Sequence, residues 1–301
     1  LFRRSFILII GMPKGYVYYR YRPFITAFAE EIGVELKYVD EINQDIIDRG
    51  SRLCADEACL PVKVMRGQID KLSEECRYVC VPRIMKTEFG ETLCPKICGM
   101  PDMAASDKLV FNEAVCINDR KQLHKYLKRQ LKKMKIKRRG LAKAIDKASK
   151  AQREYRYSDD EGYEYNVFIA AHEYNLNNTY SNMNLADRLH RMGIGVIQGR
   201  DISRYEKITR IEKLHLIKRP YWDALTDILA RAVILSEQKT VDAVICMSSF
   251  NCGIDSILTA LIYKYVTDIP VFNLKIDEHR ADAGFETRLE AFGDIVREAA
   301  I

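Results

Sequence analysis

Two stretches of this chain carry the same order of signals, and that order admits few folds. In the first, an apolar run at Phe6–Ile10 leads into a turn at Gly11–Gly15, then an aromatic-rich helical stretch from about Tyr21 to Ile32, Gly33, a second apolar run at Val34–Val39 and Asp40. In the second, Tyr165–Ala170 leads into Ala171–Asn175, a helical stretch at about Ser181–Met192, Gly193, the run Gly195–Gln198 and Asp201. Gly11 to Gly33 and Ala171 to Gly193 are both twenty-two positions apart. A glycine closing a helical run suits a left-handed helix stop. Apolar strands alternating with helices specify parallel βαβ units. The chain is therefore expected to be α/β, with two similar parallel-sheet domains.

Later segments continue the scheme. A helix starting near Leu60 precedes a strand at Arg77–Val81, and a helix at about Tyr221–Glu237 precedes one at Ala243–Met247. The helix Ile254–Tyr265 precedes Val271–Ile276, and an amphipathic helix at about Gly284–Glu298 closes the chain. The expected division is a first α/β domain at 1–118, a basic helical linker at 119–160 and a second α/β domain at 161–301. Ligands in such sheets sit outside the carboxyl ends of the strands. The segments leaving these ends carry Cys94, Cys252, His172 and Asp277-Glu278-His279, as a site in a cleft between two domains would require.

Charge is concentrated in the linker. Sixteen Lys or Arg against two acids stand between Arg120 and Arg156, so a net charge of +6 for the whole chain leaves the remainder acidic. Leu123, Leu127, Leu131 and Met134 recur there at helical spacing, and Gly140 separates a second helical stretch. Such a face could neutralise nucleic-acid phosphates. However, Tyr126, Tyr155 and Tyr157 are too few and too spread for a base-stacking platform, so a solvated face or a docking surface for an acidic partner is the preferred reading.

Nine cysteines, no export signal and no apolar run near the length of a membrane span point to a reducing cytoplasm, where thiols bind metal or are buried rather than paired. Three of them stand where a loop meets an element end: Cys59 in Ala-Cys-Leu-Pro, Cys94 in Leu-Cys-Pro-Lys and Cys252 in Asn-Cys-Gly-Ile-Asp. A thiol at a helix start faces the positive end of the helix dipole, which favours the thiolate, and Pro61 suits a first helical turn. Three thiolates from separate loops suit a cubane iron–sulfur cluster with one iron left to another ligand. Ordinary burial is the competing reading; Cys54, Cys76, Cys80, Cys116 and Cys246 are read that way, and Cys98 is a spare candidate ligand. His172 could orient a substrate or supply a proton, and Asp277, Glu278 and His279 could be acid/base groups or an ion-pair network fixing the last helix. Gly11–Gly15 lacks both the phosphate-binding loop and the dinucleotide fingerprint, so any ATP chemistry must come from a partner.

These segments resemble the acyl-CoA dehydratase activase-related family, kin to the cluster-bearing subunits of 2-hydroxyacyl-CoA dehydratases of anaerobes. The resemblance rests on Ile10-Gly-Met-Pro-Lys14 with Arg22-Pro-Phe24, Glu57-Ala-Cys-Leu-Pro-Val-Lys63 with Gly67-Gln-Ile69, and Cys94-Pro95 through Gly99-Met-Pro-Asp102. It continues in His172-Glu-Tyr-Asn175 with Asn182-Met-Asn184, Ser249-Phe-Asn-Cys-Gly-Ile-Asp-Ser256, and Asp277-Glu-His279 with Thr287–Phe292. It implies two Rossmann-like parallel-sheet domains joined by the basic helices, and a 4Fe–4S-type or larger cluster on Cys59, Cys94 and Cys252. It further implies low-potential electrons from a separate ATP-dependent activase, electron transfer to a 2-hydroxyacyl-CoA thioester with loss of water through a ketyl radical, and homo- or hetero-oligomeric assembly. The alternative is a non-catalytic scaffold or regulatory partner of such a system; nucleic-acid binding through the basic helices stands third.

Overall fold

The computed structural model describes residues 8–87, 90–136, 139–218, 220–278 and 282–299. The chain divides into two compact units, Leu1–Tyr155 and Arg156–Ile301. No described helix is long and apolar enough to cross a membrane.

The first unit runs β1 (Leu8–Gly11), α1 (Tyr16–Ile32), β2 (Val34–Lys37), α2 (Gln44–Arg52), α3 (Leu60–Glu75), β3 (Tyr78–Cys80), β4 (Arg83–Lys86), α4 (Pro95–Cys98), α5 (Met100–Ala104), β5 (Leu109–Val110), β6 (Ala114–Cys116), α6 (Arg120–Lys133) and α7 (Leu141–Glu154). Its main sheet has the order β2-β1-β3-β5, and every pairing is parallel. β4 and β6 form a separate parallel pair. The break between the two ladders has a local cause. Phe111 is left-handed at φ 61°, which turns its N–H out of the ladder while its carbonyl still accepts from the Arg83 N–H at 3.2 Å. Gln130 Oε1 accepts from the Phe111 N–H at 2.8 Å, and the Tyr126 hydroxyl donates to the Phe111 carbonyl. The basic helix α6 thus repairs the gap with its buried face.

The start of α1 differs from the expectation. The sequence reading places it near Tyr21; the helix begins instead at Tyr16, carries Pro23 inside it and kinks at Tyr21 (φ −119°, ψ 21°). Proline inside a helix removes a donor and crowds the preceding turn. The groups released by the kink are collected by α7. Phe24 N–H donates to Gln152 Oε1 at 3.2 Å, and Gln152 Nε2 donates to the Arg20 carbonyl at 3.2 Å. Both basic helices are therefore bonded into the first unit. Gly33 ends α1 in the left-handed conformation at φ 70°, as its position demands.

The second unit runs β7 (Tyr165–Ala170), α8 (Glu173–Leu176), α9 (Leu185–Arg191), β8 (Ile194–Val196), α10 (Arg204–Lys213), α11 (Asp223–Glu237), β9 (Ala243–Ser249), α12 (Gly253–Tyr265), β10 (Val271–Ile276) and α13 (Asp282–Ala299). Its sheet order is β10-β9-β7-β8, again all parallel. Counting only the strands of each four-stranded sheet, in chain order, the two orders are identical: second, first, third, fourth. The central strands β7 and β9 are apolar and buried, as both-face coverage by helices requires. Among them Phe168 lies under the Arg231 guanidinium, whose charge is met by Asp227 at 2.8 Å and by the Gln198 carbonyl.

Candidate metal centre

In an open parallel sheet the chain leaves neighbouring strands in opposite directions at one point, and a crevice opens there beyond the carboxyl ends. In the second unit that point lies between β7 and β9. The residues that follow these strands are His172 on one side and Phe250, Asn251 and Cys252 on the other.

Cys252 is the N-cap of α12. Asn251 precedes it at φ 60°, a conformation asparagine tolerates better than other side-chain-bearing residues, and this turns the chain sharply from strand to helix. The Asp255 N–H donates to Cys252 Sγ at 3.5 Å, while Asp255 Oδ2 reaches back to accept from the Ser249 N–H at 2.8 Å. The thiol thus takes the capping role a hydroxyl usually has, while the carboxylate three residues on anchors the end of β9 rather than the cap's own N–H. Asp255 Oδ1 faces His172 Nε2 at 3.1 Å. His172 is itself the N-cap of α8, and its ring stacks on Tyr174 with centroids 4.9 Å apart.

A set of buried amides and hydroxyls fixes this geometry. Asn175 Nδ2 donates to Ser249 Oγ at 2.9 Å, tying α8 to the end of β9. Asn182 Nδ2 donates to the Asn175 and Leu176 carbonyls at 2.9 and 2.8 Å, and Asn178 Nδ2 donates to Ser181 Oγ at 2.7 Å. One donor atom each from His172, Cys252 and Asp255 lies within 4.8 Å of the other two. The three residues are 3%, 9% and 2% exposed. The structure thus brings two expected site residues together, and adds Asp255, which the sequence reading had left inside a motif without a role. The signal was present in Cys-Gly-Ile-Asp: an acid three residues past a capping residue, in the first turn of a helix.

The other expected site residues belong to other elements. Cys59 caps α3 (φ −67°, ψ 150°), with Pro61 in the first turn, and is buried. Cys94 caps α4, with Pro95 as the first helical residue, and is half-buried. Both belong to the first unit, where α5 packs against α3 and α4. Beside Cys59, burial pushes the Cys54 thiol up, against the opposing pull of the Arg66 and Lys63 cations on α3. Cys98 donates to the Ile84 carbonyl at 3.2 Å, and burial followed by the neighbouring Cys94 pushes its thiol up. Cys80 and Cys246 are pushed up to about 12 by burial and are core thiols. Asp277 is exposed and Glu278 partly so; they follow β10, on the far side of β9 from β7. His279 lies outside the described residues. All nine cysteines are free of disulfides.

The chemistry of this donor set is that of transition metals: thiolate and imidazole select zinc, iron or cobalt over magnesium or calcium. Comparison with curated proteins finds no match. Comparison with protein families finds one over residues 9–202, described as the CoA enzyme activase uncharacterised domain. That span holds Cys59, Cys94 and His172, and ends before Cys252 and Asp255. With about two thirds of its length matched, the chain belongs to the CoA enzyme activase uncharacterised domain family.

Proposed function

We propose that this chain is the iron–sulfur-bearing component of a CoA-enzyme activation system. It holds a 4Fe–4S-type cluster through Cys59, Cys94 and Cys252 and takes low-potential electrons from a separate ATP-dependent activase. The observation that carries this reading is positional. Of the nine cysteines, these three are the ones that stand at helix N-caps. A helix start offers unpaired backbone N–H groups and a positive dipole end. Both favour a thiolate, and the N–H groups can hydrogen-bond the sulfur of a bound cluster. The donor set therefore fits the group.

When bound, the cluster supplies one-electron chemistry at a potential set by its surroundings. The chain's own residues would do the rest. The cap positions present the three sulfurs at helix starts. The buried cations Lys63 and Arg66 offset negative charge near Cys59. The asparagine and serine set around His172 keeps the strand end ordered and dry. The family description supports a CoA-linked role, and a separate ATP-dependent activase is the partner we assign to it. A 2-hydroxyacyl-CoA dehydration is the reaction we assign to the system.

The test is a redox titration of anaerobically purified protein with its ATP-driven reductant and candidate 2-hydroxyacyl-CoA thioesters. The expected result is a bleachable visible absorption that is reduced by the partner and reoxidised by the thioester. A protein that takes up no electron and supports no turnover is a scaffold instead.

A further inference from the structure

The geometry points to a second, simpler centre within the second unit alone: a site for one divalent ion of the zinc, iron(II) or cobalt(II) class, held by His172, Cys252 and Asp255. This goes beyond the cluster reading, because it requires neither Cys59 nor Cys94.

Three observations carry it. The first is distance. Tetrahedral coordination with bonds of ~2.0–2.1 Å to nitrogen and oxygen puts those atoms roughly 3.3 Å apart. His172 Nε2 and Asp255 Oδ1 already stand at 3.1 Å, and the thiol sulfur completes a group spanning no more than 4.8 Å. The second is charge. The site buries a carboxylate and a thiol nearly completely. A neutral imidazole, a thiolate and a carboxylate sum to minus two, so a divalent ion makes the whole neutral, which is the condition for burying it. The third is support. Asp255 is held from behind by the Ser249 N–H, and the helix bearing His172 is held by the Asn175–Ser249 bond and by Asn182. Ligands braced by hydrogen bonds from a surrounding shell are what a preorganised metal site needs. Three protein ligands leave one position open for water or a substrate donor, the pattern of reactive rather than purely structural sites.

Cys252 can serve one centre at a time. An ion seated here withholds that thiolate from a cluster, so the two loadings are alternatives of one protein and a divalent ion is an inhibitor of cluster assembly.

The experiment uses the full chain, stripped of metal under anaerobic conditions and titrated with cobalt(II). The expected result is one saturable equivalent, with the thiolate-to-cobalt charge-transfer band and the intense visible bands of four-coordination. Cys252→Ser, which keeps an oxygen at the cap, removes the charge-transfer band. His172→Gln weakens binding by at least about tenfold. The double variant Cys59→Ser/Cys94→Ser binds as the parent does. Thermal unfolding of each apo-variant identifies any that fails to fold, and zinc raises the unfolding temperature of the parent more than that of His172→Gln or Cys252→Ser. The inference is overturned by the absence of saturable binding, by affinity indifferent to His172→Gln, or by a charge-transfer band that survives Cys252→Ser and disappears in the double variant. Failure of the cluster reading looks different: iron and sulfide are missing from anaerobic preparations while the cobalt titration is unchanged.

Discussion

At the scale of single residues, Asp255 does the most with the least. One carboxylate caps the turn at Ser249 and faces His172, in a place with almost no solvent. Asp255→Ala leaves the buried Ser249 N–H without its acceptor and removes the carboxylate that faces the buried His172 ring. The expected loss is roughly 2–4 kcal/mol of unfolding free energy. Asp255→Asn, which still accepts from Ser249, should lose clearly less; urea unfolding of the two variants checks the order. Gln152 plays a comparable part in the first unit by closing the kink of α1. Gln152→Leu strands both a donor and an acceptor and should cost about 1–3 kcal/mol. Gln152→Glu keeps the acceptor, loses the donor and should fall between.

Buried thiols also set a pH limit. Burial holds Cys80 and Cys246 protonated up to about 12 in the folded chain. In the unfolded chain a cysteine ionises near ~8.5. Folding raises these pKa values, so their contribution is complete below about pH 8.5 and is lost as pH rises toward 12. Urea midpoints should therefore fall steadily between pH 9 and pH 11, and Cys246→Ala should flatten part of that fall. A midpoint independent of pH over this range would show that these thiols do not ionise on unfolding as described.

At the scale of elements, α6 shows how a charge run and a core face coexist. Tyr126, Leu127, Gln130 and Leu131 face inward, while Lys121, Lys125, Lys128 and Lys132 follow one another at four- and three-residue steps on the opposite, exposed side. Like charges at that spacing repel by about 0.2–0.5 kcal/mol per pair. Lys128→Glu converts two repulsive pairs into attractive ones, with the new carboxylate on the N-terminal side of Lys132. The expected gain is about 0.5–1 kcal/mol at low salt, shrinking as salt is added. A destabilised variant would mean that Lys128 has a folded-state role this exposed position does not suggest.

The elements also show what a sequence can and cannot disclose. β7 and β10 have the bounds their apolar-rich runs predict: β7 is buried over its last four residues, and β10, an edge strand, interrupts its apolar run with Asn273 and the exposed Lys275. The start of α1 was hidden because the kink is repaired by Gln152, more than a hundred residues away, and no local pattern reports such a partner. The bonding of α6 to Phe111 was hidden for the same reason. In the site, Cys252 and His172 were legible as loop residues following strands. Asp255 was not, because an acid in a first helical turn reads as an ordinary dipole partner until the fold brings His172 to its other oxygen.

At the scale of the whole molecule, one topology occurs twice. Each unit places its first and third strands side by side at the centre, and so each has a crevice at the same topological point. The second unit fills its crevice with buried donors. In the first unit the corresponding loop, Met12–Gly15, carries no thiol; its cysteines stand instead at the starts of α3 and α4. The repeated fold therefore carries different chemistry in its two copies, as expected when function is added by loops to a common frame.

The central claim is that the three cysteines at helix N-cap positions, Cys59, Cys94 and Cys252, hold an iron–sulfur cluster. The direct measurement is iron and acid-labile sulfide per chain after anaerobic purification, in the parent and in Cys59→Ala, Cys94→Ala, Cys252→Ala and Cys116→Ala. The account predicts near-equal iron and sulfide in the parent, loss of most of both in each of the first three variants, and parental content in the fourth. A parent without sulfide, or a cluster that persists when any of the three capping thiols is removed, would contradict it.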